Sequence, residues 1–311
     1  GQNEVLVRCN LRHPNSRWYS GAGLYRNVEL WEAPDLHLMP DGLYVAAKEG
    51  DNGAWTVAVT AEVGSVTAAS AGHTLTLHLT DDNGSLLGTA AIPADAWAAL
   101  PSSDGWRTGK ETAIYKASHT FTLQDPALWD LDAPNFYHIT AELTGADGVT
   151  DTLTTRFGCR SFAIDPQKGF ILNGKPYPLR GVSRHQDRPG IGNALTAKEH
   201  TEDMDLICEL GANTIRLAHY QHSQTFYDLC DERGMVVWAE IPYISRHMPG
   251  GKANTISQMT ELICQNSNHP SIVVWGLSNE ITMNGASDPS LLENHRALND
   301  LVHKMDPTRP T

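Results

Sequence analysis

Along the first half of the chain apolar and polar residues alternate with a period of two, and near residue 165 this gives way to apolar runs separated by stretches of helical pattern. The runs WTVAVTAEV (55–63), HTLTLHLT (73–80) and NFYHITAEL (135–143) each send every second side chain to one face, as a strand with one buried side requires. The turn formers DDNG (81–84) and GADG (145–148) supply hairpin loops beside them. From about residue 34 to 162 this spacing predicts an immunoglobulin-like β-sandwich, an architecture of about 100 residues or somewhat more. We expect a sandwich domain over 32–164, preceded in 1–31 by the last strands of a different, jelly-roll-like β domain, and followed over 165–311 by a unit of another kind.

That last unit repeats strand, loop and helix. YPLRGV (177–182) reads as a strand, TAKEHTEDMDLICELG (196–211) as a helix stopping at Gly211, NTIRLA (213–218) as a strand, and SQTFYDLCDERG (223–234) as a helix from a serine cap to Gly234. MVVWAEI (235–241), TISQMTELICQNS (255–267), SIVVWGL (271–277) and PSLLENHRALNDLVHKM (289–305) continue the series. Apolar strands alternating with helices predict a parallel sheet covered on both faces, either doubly wound or a (β/α)8 barrel. The strand ends favour the barrel, where polar chemistry gathers at the C-terminal end of several strands. Here the strands lead into Arg184, His185, Gln186 and Asp187, into His219 and Tyr220 after Arg216, into Glu240, and into Asn279 and Glu280. A doubly wound nucleotide binder needs a glycine-rich turn after its first strand. GVSRHQD is not that turn, and GIGN (190–193) has no strand directly before it. The predicted fold is a β-sandwich followed by the first half of a TIM barrel.

The chain has 311 residues and a formal charge of −13 with no basic run, which argues against nucleic acid as a partner. No segment is long and apolar enough for a membrane span, so no membrane partner is expected. Five widely spaced cysteines with no C-x-x-C pair read as buried thiols in a reducing compartment. The cytoplasm is the favoured location. The chain opens directly on EVLVRCN, as though an earlier part were missing, so periplasmic or secreted locations stay open.

The run VVWGLSNEIT (273–282) is built for burial yet stops on a carboxamide and a carboxylate side by side. LRGVSRHQDRPGIGNAL, ANTIRLAHYQHSQTFYDLCDERGMVVWAEIP and NHPSIVVWGLSNE resemble the barrel of the family 2 glycoside hydrolases, nearest to bacterial β-galactosidases. SRWYSGAGLYRNVEL and FGCRSFAIDPQKGFILNGKPYPLRGV resemble that family's sugar-binding domain end and its passage from sandwich to barrel. The resemblance implies a retaining hydrolase of terminal β-D-galactosides, in which a protonated carboxyl serves the leaving oxygen and a carboxylate about 5–5.5 Å away attacks the anomeric carbon. Glu280 takes the acid/base role, its pKa expected to be raised by desolvation at the mouth of an apolar strand. Asn279 resembles the residue that hydrogen-bonds the sugar 2-hydroxyl, and His185, His219 and Asp187 resemble residues lining the sugar subsite. Arg216 resembles an arginine that keeps the nucleophile ionised, although a strand arginine also serves as an ion-pair partner. Glu240 stands evenly between supporting the site and strand-end solvation. Trp18, Tyr19, Trp129 and Trp275 are candidates to stack on a sugar, packing being the commoner use, with Trp275 nearest the presumed site.

Two departures from the family pattern matter. The larger β-galactosidases hold magnesium partly through a Glu and a His after the third strand, where this chain has Ile244 and Arg246, with His247 one position beyond. No metal and no other cofactor is expected. Four βα units are present, and the family's nucleophile lies on a later strand, so we expect a fragment with negligible activity alone, whose full-length form is a homo-oligomer. A β-glucuronidase of the same family is the alternative, RHQD and EIPYISRHMPGG leaning toward galactosidase. A metal-dependent barrel hydrolase would want His-x-His where His185 is followed by Asp187, and a non-catalytic carbohydrate-binding protein is the third class.

Overall fold

The computed structural model describes residues 4–10, 23–67, 69–100, 111–283 and 288–311. Two four-stranded antiparallel sheets form the first unit. One has the order β1 (Leu36–Glu49), β2 (Ala54–Ser65), β6 (Ala113–Gln124), β5 (Ala98–Leu100), the other β4 (Leu86–Pro93), β3 (Thr74–Asp81), β7 (Tyr137–Gly145), β8 (Gly148–Phe157). The alternation in the sequence sets the inner faces. Val57, Val59, Ala61 and Val63 of β2 are buried in one core with Leu75, Leu77 and Leu79 of β3 and Ile139, Ala141 and Leu143 of β7. Each large side chain so buried contributes about 1.5–3 kcal/mol. Strands were expected within 1–31. The described residues of that stretch, 4–10 and 23–31, form none, since no backbone ladder pairs them with any described strand.

A small antiparallel meander follows: β9 (Phe162–Asp165), β10 (Gly169–Leu172) and β11 (Lys175–Tyr177). Asn173 and Gly174, with φ of 50° and 77°, make the two-residue turn between β10 and β11, the positive-φ pair that matches strand twist. The expected strand at YPLRGV is therefore divided. Tyr177 closes the meander, and the first barrel strand, β12 (Gly181–Arg184), starts four residues later. The segment between is held by Asn213, whose side chain donates to the Pro178 carbonyl at 3.0 Å and accepts from the Arg180 N–H at 2.8 Å.

The second unit runs β12, α1 (Ala197–Glu209), β13 (Thr214–Leu217), α2 (Gln224–Glu232), β14 (Val236–Glu240), α3 (Lys252–Asn266), β15 (Ile272–Gly276), α4 (Pro289–Met305). Its four strands are parallel and stand in chain order. Each crossover adds the next strand on the same side, as in a barrel, and the order never reverses as a doubly wound sheet must. Ile215, Val237 and Ile272 pack with Met204, Phe226, Leu262 and Leu298 of the helices. Of the cysteines expected to be buried, Cys159 and Cys230 are, whereas Cys9 is exposed. Helix starts and stops follow local chemistry: Thr196 and Glu199 form a capping box on α1, Asp288 caps α4 ahead of Pro289, and Gly211 and Gly234 take left-handed φ of 71° and 63° after α1 and α2.

The sandwich grips the barrel strands at their N-terminal ends. Trp129, fully buried, donates its indole N–H to the Asp231 carbonyl at 3.0 Å. Arg156 of β8 pairs with Glu232 at 2.9 Å and Asp228 at 3.3 Å, and Asn268 bonds Leu43 and Thr155. Arg160 reaches the carbonyls of Pro270 and Ile272. The C-terminal strand ends are left for chemistry.

Alternation in the parallel sheet gives neighbouring arginines opposite fates. Ser183 pairs with Arg216 and Arg184 with Leu217, so Arg184 faces the helices while Arg216 faces the concave side. Arg184 is buried against Phe226 and donates to Asp203 at 2.6 Å, to His200 at 3.0 Å and to His222 at 3.1 Å. Asp203 also accepts from Arg188 at 2.7 Å, so one carboxylate anchors both ends of the segment carrying His185 and Asp187. Burial, reinforced by the Arg184 charge, pushes the His200 imidazole down to about 4. A histidine depressed in the folded state is out-titrated by the unfolded chain, so stability falls as pH drops from about 6.5 toward 4.

Two outcomes follow for stability. A Cβ at Gly234 would lie 2.0 Å from the Leu131 carbonyl oxygen, whereas one at Gly211 meets nothing within 4 Å. In urea unfolding, Gly211→Ala should cost roughly 1–2 kcal/mol for its left-handed backbone and Gly234→Ala at least about twice that; equal costs would reject the close-approach argument. In the same assay His200→Gln should be less stable than the parent at pH 7.5, with the gap narrowing toward pH 5. A gap that stays constant or widens would show that His200 is not the depressed group.

Candidate active site

Glu240 ends β14 with its side chain on the concave face and fully buried, 0% exposed. Its strand neighbour is Gly276 of β15. A Cβ there would stand 2.2 Å from Trp238 Nε1, 2.7 Å from the Glu240 Cβ and 3.0 Å from its Oε2, so the glycine makes room for both the indole and the carboxylate. Oε2 accepts from Arg216 Nε at 3.2 Å and NH2 at 2.9 Å, while Oε1 meets Nδ1 of His219 in a short hydrogen bond. An unpaired buried carboxylate is costly; this one is matched by a guanidinium and an imidazole. The same Arg216 NH2 donates to Asn279 Oδ1 at 2.9 Å, and the guanidinium lies over the Trp238 ring at 5.5 Å.

Asn279 is tied through its backbone as well. Its N–H donates to the Tyr243 carbonyl at 2.9 Å and its carbonyl accepts from Ser245 N–H at 3.0 Å, forming a parallel bridge with Ile244. On the helix side the Ser278 hydroxyl meets His295 Nε2 at 2.8 Å. Glu280 then takes φ of 51°, a left-handed backbone uncommon for a non-glycine residue. Such positions cluster where surrounding contacts over-determine the backbone.

Six residues were expected at this site. Arg216 and Asn279 touch, and His219 joins them through Glu240. His185 stands edge-on to His219 with ring centroids 5.2 Å apart, and Tyr220 approaches His185 Nδ1 at 3.5 Å while accepting from the Gln186 N–H at 3.0 Å. Burial, with His219 next in effect, lowers the His185 pKa and favours its neutral form. Asp187 is exposed, two residues along the same segment. Glu280 sits beside Asn279 but is exposed, lining a shallow cleft with Ile281, Thr282 and Leu291. This corrects the expectation that an apolar strand would desolvate it. The strand stops at Gly276, and residues 277–280 have left the sheet. Arg216 was expected to serve the nucleophile; its hydrogen bonds within this chain go to Glu240 and Asn279.

The aromatic candidates fare differently. Trp275 pairs with Ala239 on the helix-facing side, is 0% exposed, and donates to Asp306 at 2.8 Å, so it is no sugar platform. Trp129 is buried at the junction with the sandwich, and Trp18 and Tyr19 lie outside the described residues. Trp238, 41% exposed on the concave face under Arg216, was not singled out by sequence; its position two residues before Glu240 on one strand was the available signal. Tyr220 was named only as a strand-end residue, without a role, and Tyr243 was missed.

The loop after β14 does not fit the magnesium site of the larger relatives. Ile244 offers no ligand, Arg246 is cationic, and His247 spends Nδ1 on the Tyr243 hydroxyl at 2.5 Å and Nε2 on Ser290 at 2.8 Å. Among the described residues the one metal-type cluster is Asp228, Asp231 and His269 at the sandwich junction, where His269 and Arg156 already pair with Asp231.

The TIM barrel domain model of glycosyl hydrolases family 2 matches residues 163–311, and a second model of glycosyl hydrolases family 2 matches 41–160. A beta-glucuronidase of Bacteroides fragilis is 44% identical over 202 residues, covering 61% of this chain and 28% of that protein. The crystal structure of an FMN-binding beta-glucuronidase from Facaelibacterium prausnitzii L2-6 superposes with a TM-score of 0.81 at 39% identity, covering 96% of this chain and 44% of that one. A putative beta-galactosidase from Bacteroides fragilis gives 0.78 at 31% identity, covering 89% and 40%. The chain spans less than half the length of each of these relatives. Both sugar names occur among them, so the lean toward galactosidase in the sequence motifs is not sustained. With a sandwich, a half-barrel and two family models that together take in most of its residues, the chain belongs to glycoside hydrolase family 2.

Proposed function

We propose that this chain carries the acid/base half of a retaining β-glycosidase, with Glu280 as the proton donor and Asn279 as the ligand of the sugar 2-hydroxyl. The observation that carries the reading is the pinned pair at the end of β15: Asn279 held by Arg216, and Glu280 turned out of the sheet at φ 51° directly after it. In the first step Glu280, protonated, hands its proton to the glycosidic oxygen as the bond to the anomeric carbon breaks. In the second, the resulting carboxylate takes a proton from water as the water attacks the same carbon and displaces the nucleophilic carboxylate that had bonded to it in the first. The hydrogen bond to the 2-hydroxyl strengthens as oxocarbenium character develops.

Glu240 does not serve as the partner carboxylate, because it is buried and saturated by Arg216 and His219. The reading places the nucleophile on a strand beyond β15, as the family resemblance implies. Closing the barrel there would also cover Glu280 and supply the desolvation that the four present strands do not. On the same terms 32–164 is the sandwich domain and 165–311 the barrel half.

For the sugar, a terminal β-D-glucuronide is favoured by the names of the relatives at 44% and 39% identity. A terminal β-D-galactoside is the second reading, supported by the relative at 31%. The described arginines nearest the strand ends, Arg184 and Arg216, are spent on Asp203 and on Glu240 and Asn279. A cation for a uronic carboxylate would come from another position, such as Arg246, exposed in the loop after β14.

The test is hydrolysis of alkyl and aryl β-glucuronides and β-galactosides by this chain and by the longer protein that carries it. We expect the longer protein to prefer the glucuronide. Glu280→Gln should lower its kcat on the alkyl glycoside by about 10²–10⁴-fold, and by less on aryl glycosides whose leaving groups need no proton. A variant within twofold of the parent on the alkyl glycoside would remove Glu280 from the acid/base role, and a preference for galactoside would select the second reading.

A further inference from the structure

We propose that Glu240 is a positioning residue that fixes the order of hydrogen-bond donors and acceptors which the site presents to its sugar, by setting the tautomer of His219 and the amide orientation of Asn279. The inference rests on the reading of this site as a glycoside site, but its first test needs no substrate.

The argument is one of hydrogen-bond polarity. An ionised carboxylate only accepts and a guanidinium only donates. Glu240 is fully buried, with Oε2 accepting from two Arg216 donors, so its carboxylate is matched by the guanidinium charge. The atom of His219 that faces Oε1 is Nδ1, and against an accepting carboxylate oxygen it must carry a proton. On the other side of Arg216, the atom of Asn279 at 2.9 Å must be its carbonyl oxygen, because an amide NH2 cannot face a guanidinium donor. The Asn279 amide nitrogen is thereby turned away from Arg216 as the donor for a sugar oxygen. One buried charge thus orients two groups that lie just beyond the ends of two other strands, and Gly276 provides its space.

Glu240→Gln keeps the shape and inverts half of this pattern. A glutamine whose carbonyl still accepts from Arg216 turns its NH2 toward His219 Nδ1, which must then accept. His219 switches to the Nε2–H tautomer, and Arg216, facing a neutral partner, holds Asn279 less firmly.

The test is the tautomer of His219 in the full chain labelled with ¹⁵N-histidine, read from long-range proton–nitrogen correlations and assigned among the 14 histidines with His219→Gln. In the parent protein Nδ1 should carry the proton, and in Glu240→Gln the proton should move to Nε2. A parent ring protonated at Nε2 alone overturns the proposal whether or not the variant folds, and so does an unchanged tautomer in a folded variant. In the longer protein, Glu240→Gln should lower kcat/KM on the parent glycoside on the order of 10- to 100-fold, as expected for disturbing hydrogen bonds to a charged group. It should also shrink the ratio of kcat/KM between the glycoside and its 2-deoxy analogue. A purely structural defect would lower both substrates equally, and that result would overturn the proposal. Were the tautomers as stated and no glycoside cleaved, the glycosidase reading would fail while the assignment to Glu240 stood.

Discussion

A carboxylate with no exposed surface has to find its charges inside the protein, and much of the site in this half-barrel is arranged to give Glu240 its own. Arg216 comes from β13, His219 from the loop after it, and the space from Gly276 on β15. Arg216 is part-exposed but Glu240 is not, so removing the arginine would leave a buried charge without its guanidinium partner. The pairing therefore does more than stabilise. It draws three strand ends into one register, and Asn279 and Glu280 take their places from it.

The rest of the molecule is divided along the strand axis. At the N-terminal ends, the sandwich and meander hold the half-barrel by Trp129, Arg156, Arg160 and Asn268, a surface of indole, guanidinium and amide contacts to backbone carbonyls and carboxylates. At the C-terminal ends stand the histidines, Arg216, Asn279 and Glu280. Behind the first strand, Asp203 pins Arg184 and Arg188 together and so sets the segment that carries His185. Stability is gathered at one end of the sheet and chemistry at the other, as the barrel architecture commonly has it.

Much of this was legible in the sequence because it depends on period and local chemistry. The two-residue alternation around Val57, Leu77 and Ile139 gave the sandwich faces, and the signals at Gly211, Ser223 and Gly234 gave helix limits within a few residues. The polar strand ends marked where chemistry gathers. What could not be read depends on partners distant in the chain. Glu240 was undecided between support and solvation because its partners lie 21 and 24 residues away on a neighbouring element. The start of β12 was misplaced because Asn213, 35 residues from Pro178, holds the intervening segment out of the sheet. Glu280 was expected to be desolvated, but the strand ends at Gly276 and leaves it exposed. The inward turn of Trp275 was available from strand alternation, since Arg216, Trp238 and Glu240 share the other face.

The central claim is that Glu280 acts as acid/base in a double displacement at the anomeric carbon. The most direct measurement is the product formed by Glu280→Gln of the longer protein acting on an activated aryl β-glycoside in the presence of azide. With the acid/base carboxyl gone, an activated substrate still forms the glycosyl-enzyme, and a small anion that needs no general base can attack it from the exposed face. The account predicts that azide restores turnover and that the product is the β-glycosyl azide. An α-glycosyl azide would mean that Glu280 is itself the nucleophile, and no rescue at all would contradict the assignment.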